Sequence, residues 1–120
     1  MRDIVRFQGV VGEDDALHHD HAWARKNKYP SNFGLGTHQA SLLAGYAAHW
    51  LDPMAVRHYR ARFRNIIWPG DLLCYEGRVA QKYLDPENGN RMMDLDLSCT
   101  RVNGEILVEV RMTLEFEAAD

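Results

Sequence analysis

In the second half of the chain, apolar side chains fall on alternate positions. Ile106, Val108, Val110, Met112, Leu114 and Phe116 are apolar, and Glu105, Glu109, Arg111, Thr113, Glu115 and Glu117 fill most of the gaps. A period of two over that length predicts an antiparallel strand with one wet face. Met93, Leu95, Leu97 and Cys99 alternate in the same way with Asp94, Asp96 and Ser98. Asn103-Gly104 lies between the two runs, and both residue types accept positive φ. A type I′ turn is therefore predicted, within a long hairpin from about Arg91 to Glu117. Upstream, Tyr59, Ala61, Phe63, Asn65 and Ile67 alternate with His58, Arg60, Arg62 and Arg64. Trp68-Pro69-Gly70-Asp71 then reads as a turn, because Pro presets one central φ and Gly allows a positive one. Leu72 to about Tyr83 should return as the second strand of another hairpin, and Asp85 to Asn90 as a loop. The expectation is four long strands in meander order.

The first half changes period. Between Thr37 and Leu51, Ala40, Leu43, Ala44, Ala47 and Ala48 share one side of a helix, and Leu42, Tyr46 and Trp50 widen the stripe. So broad an apolar arc predicts a helix buried on most sides. Gly34 and Gly36 precede it and Asp52-Pro53 stops it. Arg2 to Val11 and Asp20 to about Lys28 are shorter helix candidates. Short helices, one greasy helix and then long strands describe an α+β architecture, with a single helix wrapped by an antiparallel sheet.

Length and composition narrow the class. One hundred and twenty residues, 46% hydrophobic and 26% charged, suit a single globular domain spanning 1–120. Fourteen Lys plus Arg against seventeen Asp plus Glu leave a net charge of −3, which argues against a nucleic-acid partner. No run approaches the roughly 18 apolar residues of a membrane span, and the charged N-terminus does not read as a signal peptide. Cys74 and Cys99 have no metal-ligand spacing, and reduced thiols in the cytoplasm are expected.

The chemistry concentrates in Gly12-Glu13-Asp14-Asp15-Ala16-Leu17-His18-His19-Asp20-His21. Three readings compete: a solvated loop with Asp20 capping the next helix, a metal site at His18, His19 and Asp20, or a general acid/base pair. For the last, His is the proton carrier at neutral pH, and a neighbouring carboxylate fixes its tautomer and raises its basicity. The start of the greasy helix, at Gly36-Thr37, presents unpaired N–H groups and a positive dipole end that could stabilise an enolate. A glycine there lets a ligand approach closely. Ser41 lies one turn on. His58, Arg60, Arg62 and Arg64 share a strand face, read either as a solvated exterior or as a contact for phosphates. Trp23, Trp50 and Trp68 read as core or interface anchors. His38, close to Gly36, is a minor candidate.

Glu13-x-Asp15-Ala16-Leu17-His18-x-Asp20, followed by Ala24, resembles the hydratase motif of MaoC-like dehydratases and (R)-specific enoyl-CoA hydratases, Asp-x-Asn-Pro-(Ile/Leu)-His-x-Asp. Gly34-Leu35-Gly36-Thr37, with Ser41-Leu42-Leu43, is similar to the family's Ala-His-Gly-Met stretch. Arg62-Phe63-Arg64, Trp68-Pro69-Gly70-Asp71-x-Leu73 and Glu76-Gly77-Arg78-Val79 resemble its Arg-Phe and Pro-Gly-Asp-x-Leu block. The matches span about residues 12 to 80 in order.

The resemblance implies a hotdog fold, commonly dimeric, acting on acyl-CoA thioesters without metal or organic cofactor; coenzyme A enters as part of the substrate. It implies hydration of a trans-2-enoyl-CoA or dehydration of the (R)-3-hydroxyacyl thioester. His18 takes the proton of water, and Glu13 holds the position of the family's catalytic Asp, with Asp15 beside it. Gly36 and Thr37 receive the thioester, and Ser41 and Arg62 join as substrate-binding residues. Asp14 with His19 is an alternative register. Glu13, Asp15 and Ala16 depart from the motif, and the pattern yields no strand before Arg2 where the family commonly has one. A non-catalytic subunit of a heteromeric hydratase and a hotdog thioesterase therefore stand as alternatives, and the partner is a second copy or a second hotdog subunit.

Overall fold

A computed structural model of the chain describes residues 1–118. Its elements, in order, are α1 (Arg2–Val11), α2 (His21–Lys26), α3 (Gly36–Trp50), β1 (Val56–Phe63), β2 (Leu73–Leu84), β3 (Arg91–Arg101) and β4 (Ile106–Phe116), with single 3-10 turns at Ala16–His18 and Pro53–Ala55. The helices begin and end where local chemistry dictates. Asp20 caps α2, its carboxylate accepting the Trp23 N–H at 2.9 Å. Gly12 closes α1 in the left-handed conformation, φ 71°, with its N–H on the Gln8 carbonyl. No side chain caps α3 at Leu35.

The four strands form one antiparallel sheet in the order β1-β4-β3-β2. Only β2, β3 and β4 run as a meander. The expected hairpin between β1 and β2 does not form, because β1 pairs with β4, Tyr59 opposite Met112 and Phe63 opposite Val108. Period-two alternation fixes which face a residue takes and is silent about the neighbouring strand. After Phe63 the chain leaves the sheet and crosses from one edge to the other, about three inter-strand spacings or ~14 Å. The crossing segment is held: Arg64 N–H bonds the Leu107 carbonyl at 2.8 Å, and Gly34 N–H bonds the Ile67 carbonyl at 2.7 Å. Asn65 and Ile67, expected in the strand, belong to this crossing.

The β3–β4 turn also differs from expectation. Gly104 has φ 90° and Asn103 is not among the residues with positive φ. Gly104 N–H bonds the Arg101 carbonyl and Arg101 N–H bonds the Glu105 carbonyl, each at 2.8 Å. This is a three-residue loop ending in a left-handed glycine, so only one residue has to adopt positive φ.

The core lies between one face of the sheet and α3. Leu43 and Ala47, both 0% exposed, meet Leu95, Leu97, Cys99, Val108, Val110, Met112 and Leu114. At Gly77 of β2 a Cβ would come within 2.7 Å of the Leu97 side chain and 3.3 Å of the Tyr46 ring, so these two side chains pack against bare backbone. The expectation that α3 is buried on most sides is corrected. Leu42, Tyr46 and Trp50 stand roughly half exposed, because one sheet can cover only one side of a helix. Trp23 is exposed as well. No helix among the described residues is long and apolar enough to cross a membrane.

Candidate functional site

Three elements converge at the N-terminal end of α3: the 3-10 turn carrying His18, the segment Phe33–Gly36, and the crossing from Phe63 to Ile67. They line a cleft of about 500 Å³ that includes Glu13, His18, Gly36 and Thr37. The turn holds itself. Asp15 accepts the Leu17 N–H at 2.9 Å, and Asn32, 3% exposed, donates to the His18 carbonyl at 3.1 Å.

The His18 ring is set by a single bond. Its Nδ1 lies 2.8 Å from the Phe33 carbonyl oxygen. A carbonyl only accepts, so the proton is on Nδ1, and the neutral ring keeps the lone pair of Nε2 free. That atom faces the Glu13 carboxylate at 3.9 Å, beyond hydrogen-bond length. The two groups therefore face one another without a direct hydrogen bond, and both line the cleft. Glu13 is held below its ordinary carboxylate range by the Gln8 amide, and then by the Asp15 N–H, which stabilise the charged form. His18 keeps 16% of its side chain exposed and Glu13 36%, so the pair reaches solvent through the cleft.

The structure brings some predicted residues together and leaves others apart. Glu13, His18, Gly36 and Thr37 line the one cleft. Asp15 sits beside it as the cap of the turn, its N–H donating to Glu13 Oε1 at 2.6 Å. Ser41 lies on the exposed side of α3 and donates to the Thr37 carbonyl at 2.8 Å, the local bond a mid-helix serine commonly makes. Arg62 points from the opposite face of the sheet, into an outer groove of about 660 Å³ with Arg60, Arg78, Asp96 and Arg111. That larger groove is laced with ion pairs, Arg111–Asp96 at 2.7 Å and Arg78–Asp96 at 3.1 Å, and reads as a solvated sheet exterior. Arg64 lines the cleft and pairs with Glu109 at 2.9 Å. In the alternative register, His19 turns away to bond Gln8 at 3.1 Å. His38 stacks on Phe7, ring centroids 4.4 Å apart, outside the cleft.

The role of Gly36 is also revised. A Cβ there would run into the Phe63 ring, 2.8 Å from Cε1. The glycine admits an aromatic side chain of this chain itself, and Phe63 covers the helix terminus from one side. The metal reading of His18, His19 and Asp20 shifts too. Among the described residues, Glu13, Asp15 and His18 bring donor atoms within 4.8 Å of one another. Both carboxylates already accept N–H bonds from this turn, and those bonds account for the clustering. Sequence reasoning missed Gln8, Asn32 and Phe33. Gln8 carried a signal: it lies at the helical spacing of Ile4, Phe7 and Val11, a polar residue on an apolar stripe.

No protein-family model and no curated protein matches this sequence. Solved structures do. The chain is similar to the (R)-hydratase from A. caviae involved in PHA biosynthesis, with TM-score 0.80 and 18% identity, covering 96% of this chain and 86% of that one. A chain of the ChsH1–ChsH2 complex from Mycobacterium tuberculosis matches with TM-score 0.78 and 16% identity, over 95% of this chain and 85% of that one. The MaoC-like dehydratase from Rhodospirillum rubrum matches with TM-score 0.73 and 17% identity, over 94% and 82%. At these identities the likeness shows the fold, and the chain has the α+β hotdog fold of these structures, one helix packed on an antiparallel sheet.

Proposed function

We propose that this chain is a hydratase or dehydratase of acyl-CoA thioesters, adding water across a trans-2-enoyl group or removing it from the 3-hydroxyacyl product. The observation that carries the reading is the His18 ring, its Nδ1 proton committed to the Phe33 carbonyl and its free Nε2 turned toward Glu13. Water bound between the two gives up a proton to the pair as its oxygen bonds to C3. The electrons of the double bond move to the thioester oxygen, where the first N–H groups of α3 at Gly36 and Thr37 meet the developing charge. The proton held by the pair then passes to C2, and the added atoms sum to one water. All of this is side-chain and backbone chemistry, so no metal or organic cofactor is invoked. Dialysis against EDTA should leave the rate unchanged.

Loss of enoyl absorbance with crotonyl-CoA and longer trans-2-enoyl-CoA thioesters tests the reading. General acid/base catalysis is worth about 10²–10⁴-fold, and His18→Ala and Glu13→Gln should each lose that much. A folded protein inactive on every chain length would refute it, and thiol release without hydration would point to a thioesterase.

A second feature supports a partner of the same fold. Leu42, Tyr46 and Trp50 recur every fourth residue on the exposed side of α3, with Tyr46 beside Gly77 of β2, an edge strand with no outer sheet neighbour among the described residues. A second copy or a second hotdog subunit would cover that stripe, and the need for a different subunit is the alternative to an active homodimer. Light scattering of the purified chain decides: a stable dimer supports the first, and insolubility relieved by a co-expressed subunit supports the second.

A further inference from the structure

Gln8 is the one buried residue of α1, 4% exposed, and every hydrogen-bonding atom of its amide is used. Nε2 donates to Glu13 Oε2 and to the Asp15 carbonyl, both at 3.0 Å. Oε1 lies 3.1 Å from His19 Nδ1, where an amide oxygen can only accept, so that ring nitrogen donates. The opposite amide orientation would set an oxygen against a carboxylate and a carbonyl, two acceptors. The chemistry therefore fixes which way the amide faces. The backbone reinforces the link, since Glu13 N–H bonds the Gln8 carbonyl at 3.1 Å across the left-handed turn at Gly12. With Asp15 N–H on its other oxygen at 2.6 Å, the Glu13 carboxylate is pinned at both ends while one oxygen still faces His18 Nε2.

We propose that Gln8 is a positioning residue that aims the Glu13 carboxylate at His18, with His19 acting one step further out by locking the Gln8 amide. The inference rests on the hydratase reading for what the aim achieves. Glutamate has one more rotatable bond than the aspartate of the resembling motif, and a carboxylate at a reacting centre must be held to within about 0.5 Å; Gln8 supplies that restraint. The other titratable groups acting on Glu13 are His18 and Asp15 of its own loop, and Arg64, which lines the same cleft, is paired with Glu109. Gln8 leads the causes that hold the Glu13 carboxyl low, ahead of the Asp15 N–H.

Gln8→Leu keeps the side chain's bulk and removes both donors. Two readouts follow it. The first is a carbon-13 NMR titration of the Glu13 carboxyl, assigned by its disappearance in Glu13→Gln; the midpoint should rise toward the ordinary carboxylate range. The second is hydration of crotonyl-CoA: kcat should fall about ten- to a hundredfold with KM little changed, and the acid limb of kcat/KM should rise with the NMR midpoint. His19→Ala, at an exposed position, should move both readouts the same way by less, and serves if Gln8→Leu does not fold. An unmoved Glu13 midpoint in a folded Gln8→Leu or His19→Ala protein would overturn the proposal. Should the native chain prove unable to hydrate any enoyl thioester, the hydratase reading fails, and the titration still decides whether Gln8 controls Glu13.

Discussion

Replacing Arg101 with Met removes the brace under the crossing segment that floors the cleft. The guanidinium donates to Asp71 at 3.1 Å and to the Ile66 carbonyl at 2.6 Å, and it also pairs with Glu105. Asp71 in turn accepts the Trp68 N–H at 2.8 Å, so one arginine secures both the Pro69-Gly70 turn and the backbone leading to Ile67. The side chains of Arg101 and Asp71 are 17% and 16% exposed, between the surface case of about 0–1 kcal/mol and the fully buried case of about 3–5 kcal/mol. Met retains the apolar stem but strands the Asp71 charge and the Ile66 carbonyl. A loss of about 2–3 kcal/mol is expected, using charged hydrogen bonds at about 1.5–3 kcal/mol and one abandoned acceptor. For a chain of this size that lowers Tm by about 10 °C. Urea unfolding followed by tryptophan fluorescence measures it. Asp71→Asn should cost less, because an amide oxygen still accepts the Trp68 N–H. The double variant should cost at least about 1 kcal/mol less than the two singles summed. A loss below about 0.5 kcal/mol for Arg101→Met, or strict additivity, would show that the brace contributes no more than an exposed ion pair.

Other outcomes follow from the same structure. Leu43→Ala empties a fully buried position between α3 and the sheet and should cost about 3 kcal/mol in urea unfolding. The Glu13 carboxyl lies below its usual 4.5, so its contribution to stability is present above that pH and lost as pH falls through the depressed value; Glu13→Gln should remove that part of the acid dependence of the urea midpoint. Burial pushes the Tyr59 and Tyr75 phenols up from 10.0 to about 12. Their neutral forms favour the fold, and their contribution is complete below pH 10 and lost as pH rises toward 12. In phenolate absorbance titrations, Tyr75→Phe and Tyr59→Phe should each delete one late-titrating group.

How much was legible in the sequence depended on how local the cause was. The alternation from Ile106 to Phe116 predicted β4 to within a residue, because each side chain of a strand takes one face whoever the neighbour is. Asp20 capped α2, and Pro69-Gly70 made its turn, Gly70 at φ 90°, for reasons contained in the residues themselves. Glu13 and His18 lie five residues apart along the chain, and the structure brings their side chains to 3.9 Å of each other in the one cleft. The reach of Ser41 was not legible, since its hydroxyl had a carbonyl one turn back on its own helix. Nor was the exposure of Tyr46 and Trp50, which depends on how much sheet there is to cover α3.

By itself, then, the sequence determined the strands, their inward faces and the closeness of Glu13 to His18 along the chain, all of which follow from short-range sterics and spacing. Tertiary structure alone decided that β1 joins β4 and that the chain crosses the sheet beneath Gly34. It also put Arg62 on the far side of the sheet from His18 and the ring of Phe63 against Gly36. Above all, it turned α1 so that the Gln8 amide meets the Glu13 carboxylate. These are outcomes of chain closure and packing between segments distant in sequence, where the competing arrangements share the same local energies and differ only in which surfaces are buried together.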